Sequence, residues 1–439
     1  MKKSYYLISI ILLHIFVLFG KTYRFDFGGK QVQKGYLQVS GDMVYSESRG
    51  YGFSSCKPIK NITRQKGNQL NKDFCTSEEP FYFFIDLPEG NYKVDIILGD
   101  QSGKSINTVK AESRRLILNR VITKNGQIKT KTFSVNVRRP KINQNDSIIR
   151  NPREYVYLNW DNKLSLEFNN KNPKVAGLKV TKIQDITTIF LAGNSTVTDQ
   201  EYVPWAAWGQ MLPYFFDQNI TVANYAESGS AMKSFIASNR LKKIKNKIGS
   251  GDYLFIQFGH NDQKKQSSAY LEPNQGYKKY LKKFVKTARK FEATPVLIPS
   301  MHRRKFDNNG NIINTHGEYP QAVREVARET NVALIDLTKM SKKLYEALGV
   351  KGSQKAFVHY PANTFPGQNK KLSDNSHHSV YGAFQLAKCI VKGIKQNNLR
   401  LIRYFRNPDK SYEPGNPDPF QQVKIPYSPS IKILRPKGN

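Results

Sequence analysis

Hydrophobic and polar positions change their rhythm once along the 439-residue chain, near Asp185. From Lys21 to about Lys182, short runs alternate apolar and polar residues: FYFFIDLP, YKVDIILG, RRLILN, YVYLNW, KLSLEF and GLKVTKI. Gly, Asn, Asp and Pro turns separate them, which predicts an all-β sandwich or jelly roll. After Asp185, apolar strand candidates alternate with helical stretches: TTIFLAG then WAAWGQMLPYFF, TVANYA then SFIASNRLKKIKNKI, YLFIQFG then YKKYLKKFVKTARKF. TPVLIPS then PQAVREVARET and VALIDL then KKLYEAL continue the alternation, and a helix after His377 closes it. That pattern predicts an α/β unit with helices on both faces of a parallel sheet and right-handed crossovers. From about Leu401 onward, Pro, Asn, Lys and Arg predict an extended tail rather than a further core.

A length of 439 residues fits two domains. The expected division is a signal peptide at 1–20, a β-sandwich at 21–183, an α/β domain at 184–400 and the tail at 401–439. Lys2 and Lys3 before the apolar run from Tyr5 to Phe19 read as a secretion signal; an uncleaved membrane anchor is the alternative, against which the run is short for a spanning helix. A secreted or periplasmic protein with no stable membrane insertion after cleavage is expected. Three cysteines are too few for a disulfide framework; Cys56 and Cys75 are candidates for a pair, and Cys389, in AFQLAKCIVKGI, reads as a buried small hydrophobe.

The formal net charge is +35, and loss of Lys2 and Lys3 leaves 35 − 2 = +33. Such a surface attracts polyanions. No nucleic-acid recognition module or zinc-ligand spacing is present, so an acidic polysaccharide is the expected partner and nucleic acid is not. A lysine-rich solvated surface is the plainer alternative.

Ligands of open α/β sheets bind beyond the carboxyl ends of the strands, which directs attention to four places. In LAGNSTVTDQ, Ser195 follows the first strand and would need a base to act as a nucleophile; alone it reads equally as a turn serine. In NYAESGSAMKSF, Gly229 can offer a backbone N–H to an oxyanion, or be an ordinary turn glycine. In FGHNDQKK, Asn261 can donate its amide to the same oxyanion and Asp262 can fix the loop, or both can make local turns. In SDNSHHSVYGAF, Asp374 precedes His377 by three residues at the start of a helical stretch, the spacing of an acid that orients a base. His378 is the rival base, and a helix cap by Asp374 with solvent-exposed histidines is the bland alternative.

This ordered set resembles the four blocks of the SGNH (GDSL-type) hydrolases. GNSTVTDQ, AWGQMLPYFF, FGHNDQ, PSMHRRKFD and DNSHHSVYGA are similar to the rhamnogalacturonan acetylesterases within that class, over about Thr187 to Asn397. The resemblance implies a three-layer α/β/α fold and an acetylesterase without metal or organic cofactor. It makes Ser195 the nucleophile, His377 the general base and Asp374 its orienting acid. The oxyanion hole would be the N–H groups of Ser195 and Gly229 with the Asn261 side chain. Asn194 departs from the Asp often found there.

FDFGGKQVQKGYLQV and RGYGF resemble galactose-binding-type sandwiches, whether as a glycan-binding module or a structural appendage. Arg303 and Arg304 are candidates for meeting galacturonate carboxylates, unless they are structural. His359, Tyr360 and Phe365, in the insertion 355–373, are candidates for sugar contact or for anchoring a long loop. The expected substrate is an acetylated pectic polysaccharide. Xylan, another acidic glycan or lipid esters are the alternatives, and a non-catalytic carbohydrate-binding protein is a further one.

Overall fold

The computed structural model describes residues 21–429; the expected signal sequence lies outside the described residues. Two antiparallel-rich sheets form the first domain. One runs in the order 128–137, 90–99, 174–183, 22–27, 37–39, extended by 73–76 and 60–63; the other runs 51–55, 81–86, 163–169, 105–111, 115–123. Alternation explains the packing: Phe81, Phe83 and Ile85 point inward while Tyr82, Phe84 and Asp86 do not. Phe83 meets Phe25 and Phe27 edge-on at 5.3 and 5.0 Å, the arrangement that ring quadrupoles favour.

Five parallel strands build the second domain: β1 (Thr187–Gly193), β2 (Ile220–Asn224), β3 (Tyr253–Gln257), β4 (Thr294–Leu297) and β5 (Ala333–Leu334). Their order is β2-β1-β3-β4-β5, so β1 has the loops after β2 and β3 on either side of its own. The longer helices are α1 (Lys278–Lys290), α2 (Tyr319–Glu329), α3 (Leu337–Gly352) and α4 (Val380–Gln396). Two hydrophobic clusters flank the sheet: Leu191, Phe255 and Val296 belong to one, Phe190, Leu254 and Leu297 to the other. The inner strands are thus buried on both sides, as a parallel sheet requires, while β5 at the edge is half-buried.

Four local expectations need correction. YVYLNW is no strand: Pro152 opens a 3₁₀ turn at Pro152–Val156, and Trp160 packs into the core of the second domain instead. The stretch SFIASNRLKKIKNKI is two short helices, Met232–Ala237 and Arg240–Lys245, broken at Asn239 with φ 62°. Asp374 and His377 lie in a strand, Leu372–His378, and it is the Ser379 hydroxyl that caps α4 by accepting from the N–H of Gly382. Cys56 and Cys75 are both free: Cys75 is buried among core residues, whereas Cys56 is exposed beyond a strand of the opposite sheet.

The tail ties the domains together. Asp418 takes an ion pair from Lys388 of α4, and further on the carbonyls of Pro426 and Tyr427 accept from Lys110 and Asn169 of the sandwich. Beneath the sheet edge the two domains also meet at the turn Glu112-Ser113-Arg114, where the Ser113 hydroxyl donates to the buried carboxyl of Glu201. Burial pushes the Glu201 carboxyl up to about 7 from an ordinary 4.5, against the pull of Ser113, the Leu158 N–H and Arg114. The folded protein therefore holds a proton that the unfolded chain releases between about pH 4.5 and 7. The associated stability is complete below the lower value and is lost as pH rises through the upper one. Wild type minus Glu201→Gln stability is expected to fall by on the order of 3 kcal/mol between pH 4 and 8, read from urea unfolding at both pH values.

Candidate active site

At the carboxyl end of β1 the chain must turn sharply to present Ser195. Asn194 makes the turn: its carbonyl accepts from the N–H groups of Val197 and Thr198 at 3.0 Å, and its Oδ1 accepts from the Thr196 N–H at 3.1 Å. An amide oxygen therefore braces this turn. Gly193 is required just before it, since a Cβ there would sit 2.6 Å from Val197 Cγ2 and 2.9 Å from the Gln257 carbonyl oxygen.

Ser195, His377 and Asp374 stand in one hydrogen-bonded line. Ser195 Oγ is 2.9 Å from His377 Nε2, and His377 Nδ1 is 2.8 Å from Asp374 Oδ2. The other carboxylate oxygen, Asp374 Oδ1, accepts from the N–H groups of Ser376 and His377 at 2.9 and 3.0 Å, and Trp205 Nε1 donates to Oδ2 at 3.3 Å. All three are almost fully buried, with Ser195 4% exposed. Burial works against ionisation of Asp374, but the hydrogen bond and charge of His377 and the two backbone donors outweigh it and hold the carboxyl far below the usual range. An ionised carboxylate on Nδ1 leaves Nε2 facing the serine hydroxyl as acceptor.

His378 points the other way. Its Nε2 is 2.7 Å from the Tyr345 hydroxyl, and burial pushes its pKa down to about 3, so it is a neutral core histidine. The bland alternative of solvent-exposed histidines also fails, because both rings are buried.

The loops after β2 and β3 flank Ser195. Gly229 has φ 91°, a conformation that favours glycine, and among the described residues neither its N–H nor that of Ser195 donates to another protein group. Asn261 spends one amide hydrogen on the Ser230 carbonyl at 3.1 Å, which joins the two loops and leaves the other hydrogen available. Asp262 fixes both: its oxygens accept from the N–H groups of Met232 and Gly259, each at 2.8 Å. Burial nonetheless pushes the Asp262 carboxyl up to about 6.

The candidate substrate contacts are differently disposed. Arg303 is turned into the protein, donating to Thr315 and to the His260 carbonyl. Arg304 Nη1 and His359 Nε2 converge on Asn375 Oδ1 at 3.3 and 2.8 Å, bracing the strand that carries Asp374. The Tyr360 hydroxyl is 3.0 Å from that of Tyr427, and Phe365 packs edge-on to both rings, so these aromatics anchor the tail.

Sequence reasoning missed the supports behind Ser195. Gln200 Nε2 donates to the Ser195 carbonyl at 2.6 Å, and Gln257 holds the Thr196 hydroxyl at 2.8 Å while accepting from Trp208 Nε1 at 2.7 Å. Asp199 is buried among Arg115 and Arg138 of the sandwich, at 2.7 and 3.3 Å, and Asn224 at 2.9 Å. Arg114 Nη1 donates to the carbonyls of Gln200 and Trp205, both at 3.0 Å. Only the Arg-Arg pair opening RRLILN, odd at the head of a strand, marks any of this in the sequence. Among the described residues no group of three or more His, Cys, Asp or Glu side chains is arranged to hold a metal ion, and no helix is long and apolar enough to cross a membrane.

A parallel sheet with this serine, histidine and aspartate at its carboxyl edge defines a carboxylic ester hydrolase of the GDSL type. Residues 191–359 match the GDSL-like lipase/acylhydrolase family, and residues 23–145 match the β-agarase/YXIM esterase-like, galactose-binding domain-like family. Rhamnogalacturonan acetylesterase RhgT of Bacillus subtilis (strain 168) is 41% identical over 215 residues, which cover 48% of this chain and 91% of that protein. The probable rhamnogalacturonan acetylesterase YesY of the same organism is 35% identical over 48% of this chain and 94% of its own length. The uncharacterized esterase YxiM, also from that organism, is 25% identical over 86% of this chain and 92% of its own. The chain belongs to the GDSL-like acylhydrolases, in the family of the rhamnogalacturonan acetylesterases.

Proposed function

We propose that this protein is a secreted serine esterase that removes acetyl groups from pectic polysaccharide of the rhamnogalacturonan type, through an acetyl-Ser195 intermediate. The observation that carries the chemistry is the bonded line from Ser195 Oγ through His377 to Asp374. The substrate class rests on the relatives named rhamnogalacturonan acetylesterases and on the charge of +35, which suits an acidic polymer.

In this mechanism His377 Nε2 takes the proton of Ser195 as Oγ attacks the ester carbonyl, and the carbonyl π electrons move to its oxygen. The N–H groups of Ser195 and Gly229 and the free amide hydrogen of Asn261 donate to that oxyanion. Collapse breaks the bond to the sugar oxygen, which leaves with the proton from His377. Water, deprotonated by His377, then attacks the acetyl-serine, and collapse releases acetate and restores the Ser195 hydroxyl.

Asn261→Ala is expected to lower kcat by roughly 10²–10³ with little change in KM, since the amide is used chiefly when charge develops on the oxygen. Steady-state kinetics on a soluble acetyl ester check this.

Acetate release from acetylated rhamnogalacturonan beside acetylated xylan tests the function, with Ser195→Ala as control. Preference for the pectic polymer, lost in the variant, is expected. Release from xylan alone, or preference for a long acyl chain, overturns the substrate. Glycan binding without release from any ester turns the protein into a binding module.

A further inference from the structure

Helix α1 carries a concentration of charge that the active site does not use. Seven of its thirteen residues are Lys or Arg and none is acidic. Leu281, Phe284, Val285 and Ala288 bury the inner face in the core, leaving the lysines outward. Lys278 and Lys282 are paired with Glu325 and Glu329 of α2. Lys279, Lys283, Lys286 and Lys290 are exposed and, among the described residues, enter no ion pair. Their spacing of four, three and four residues puts them in single file along one face.

This row works against the helix itself. Like charges at i, i+4 repel, and Lys279 sits near the positive end of the helix dipole. A bound polyanion would relieve both.

The row lines an open groove of about 950 Å³, to which Lys245 of the neighbouring short helix also contributes. The half-buried ring of Tyr280 also lines the groove, with Lys283 Nζ 5.8 Å from its centre. Glu329, already paired with Lys282, is the carboxylate among the lining residues.

We propose that this groove is a docking site for a linear polyuronate, a sugar chain with one carboxylate per ring, apart from the catalytic centre. Three features select that occupant. Successive lysines rise about 4.5–6 Å along the helix axis, comparable to one pyranose ring in a chain. The aromatic ring offers a flat apolar surface to the C–H face of a sugar, as a purely ionic site would not. A duplex nucleic acid carries a charge about every 1.7 Å on a broad rigid rod, for which a single file of lysines is a poor match. With its apolar face buried in the core, the helix has none to insert into a lipid surface. The site extends the reading of the substrate as an acidic polymer, but binding there does not depend on Ser195.

The test uses the full chain and unacetylated polygalacturonate, which is not a substrate, in calorimetric titrations at about 50 and 200 mM salt. The variant Lys279→Gln/Lys283→Gln/Lys286→Gln/Lys290→Gln removes like-charge repulsion and is expected to fold. Wild type is expected to bind, more weakly at high salt. The variant is expected to bind at least 10-fold more weakly while hydrolysing p-nitrophenyl acetate at the wild-type rate. Equal binding by the variant overturns the proposal, as does lysine-dependent binding that is tighter to duplex DNA or to phosphatidylglycerol vesicles at the same ionic strength. If lysine-dependent polyuronate binding is found but no acetate is released from pectin, the docking site stands and the substrate assignment falls.

Discussion

Ser195→Ala is expected to lower the rate of acetyl-ester hydrolysis by on the order of 10⁵-fold while leaving the thermal midpoint within about 2 °C of wild type. The loss is large because no other group replaces Oγ: His377 Nε2 faces it at 2.9 Å, and the second histidine, His378, is committed to Tyr345. The fold is expected to survive because the remaining restraints stay in place. Asp374 still holds the His377 ring through Nδ1, and the Asn194 turn closes through backbone groups and the Thr196 side chain. Asp374→Asn is expected to cost about 10⁴-fold, since an amide at Oδ2 no longer selects the tautomer that leaves Nε2 free. Single-turnover acetate release, with differential scanning calorimetry on the same samples, separates chemistry from folding. Activity of Ser195→Ala above about 1% of wild type would refute a covalent serine mechanism.

Much of this site is legible because its chemistry lies in short segments directly after strands. Ser195, Gly229 and Asn261 each follow an apolar run that becomes β1, β2 or β3, and sheet order alone then puts them side by side. The Asp374–His377 spacing is legible as a motif, although its backbone is a strand, because the three-residue separation serves the carboxylate in either setting. What stays hidden is contact between distant segments. Trp205 reaches Asp374 across 169 residues, and neither shows periodicity or turn chemistry that pairs them. The arginines of PSMHRRKFD read equally well as carbohydrate contacts, because nothing in the sequence shows that His260, Thr315 and Asn375 already take their hydrogen bonds. YVYLNW misleads for a related reason. Its aromatic alternation suits a strand, but Trp160 is drawn across the domain boundary to lie beneath Arg138 and Arg240 at 4.9 and 5.6 Å.

Asp199→Asn is expected to destabilise the protein by about 3–5 kcal/mol and, in the fraction that stays folded, to lower kcat by roughly 10²-fold. Asp199 is four residues beyond Ser195, and its carboxylate is the meeting point of two arginines from the sandwich, Arg115 at 2.7 Å and Arg138 at 3.3 Å. All three side chains are essentially excluded from solvent. Neutralising the acid therefore leaves two buried guanidinium groups without the carboxylate that bonds both, which costs far more than the loss of a surface pair. The effect reaches the chemistry because the same stretch of chain carries Gln200, bonded to the Ser195 carbonyl, and Trp205, bonded to Asp374. Arg114 holds the carbonyls of both from the sandwich side. On this geometry the first domain is a support for Ser195 and for Asp374 as well as an attachment. Small shifts of either reacting group are costly, so a loosened support lowers kcat more than it raises KM. Urea unfolding gives the first quantity, and kinetics on a soluble acetyl ester, at a temperature where the variant is folded by circular dichroism, give the second. A variant that loses stability but keeps wild-type kcat when folded would confine Asp199 to holding the domains together.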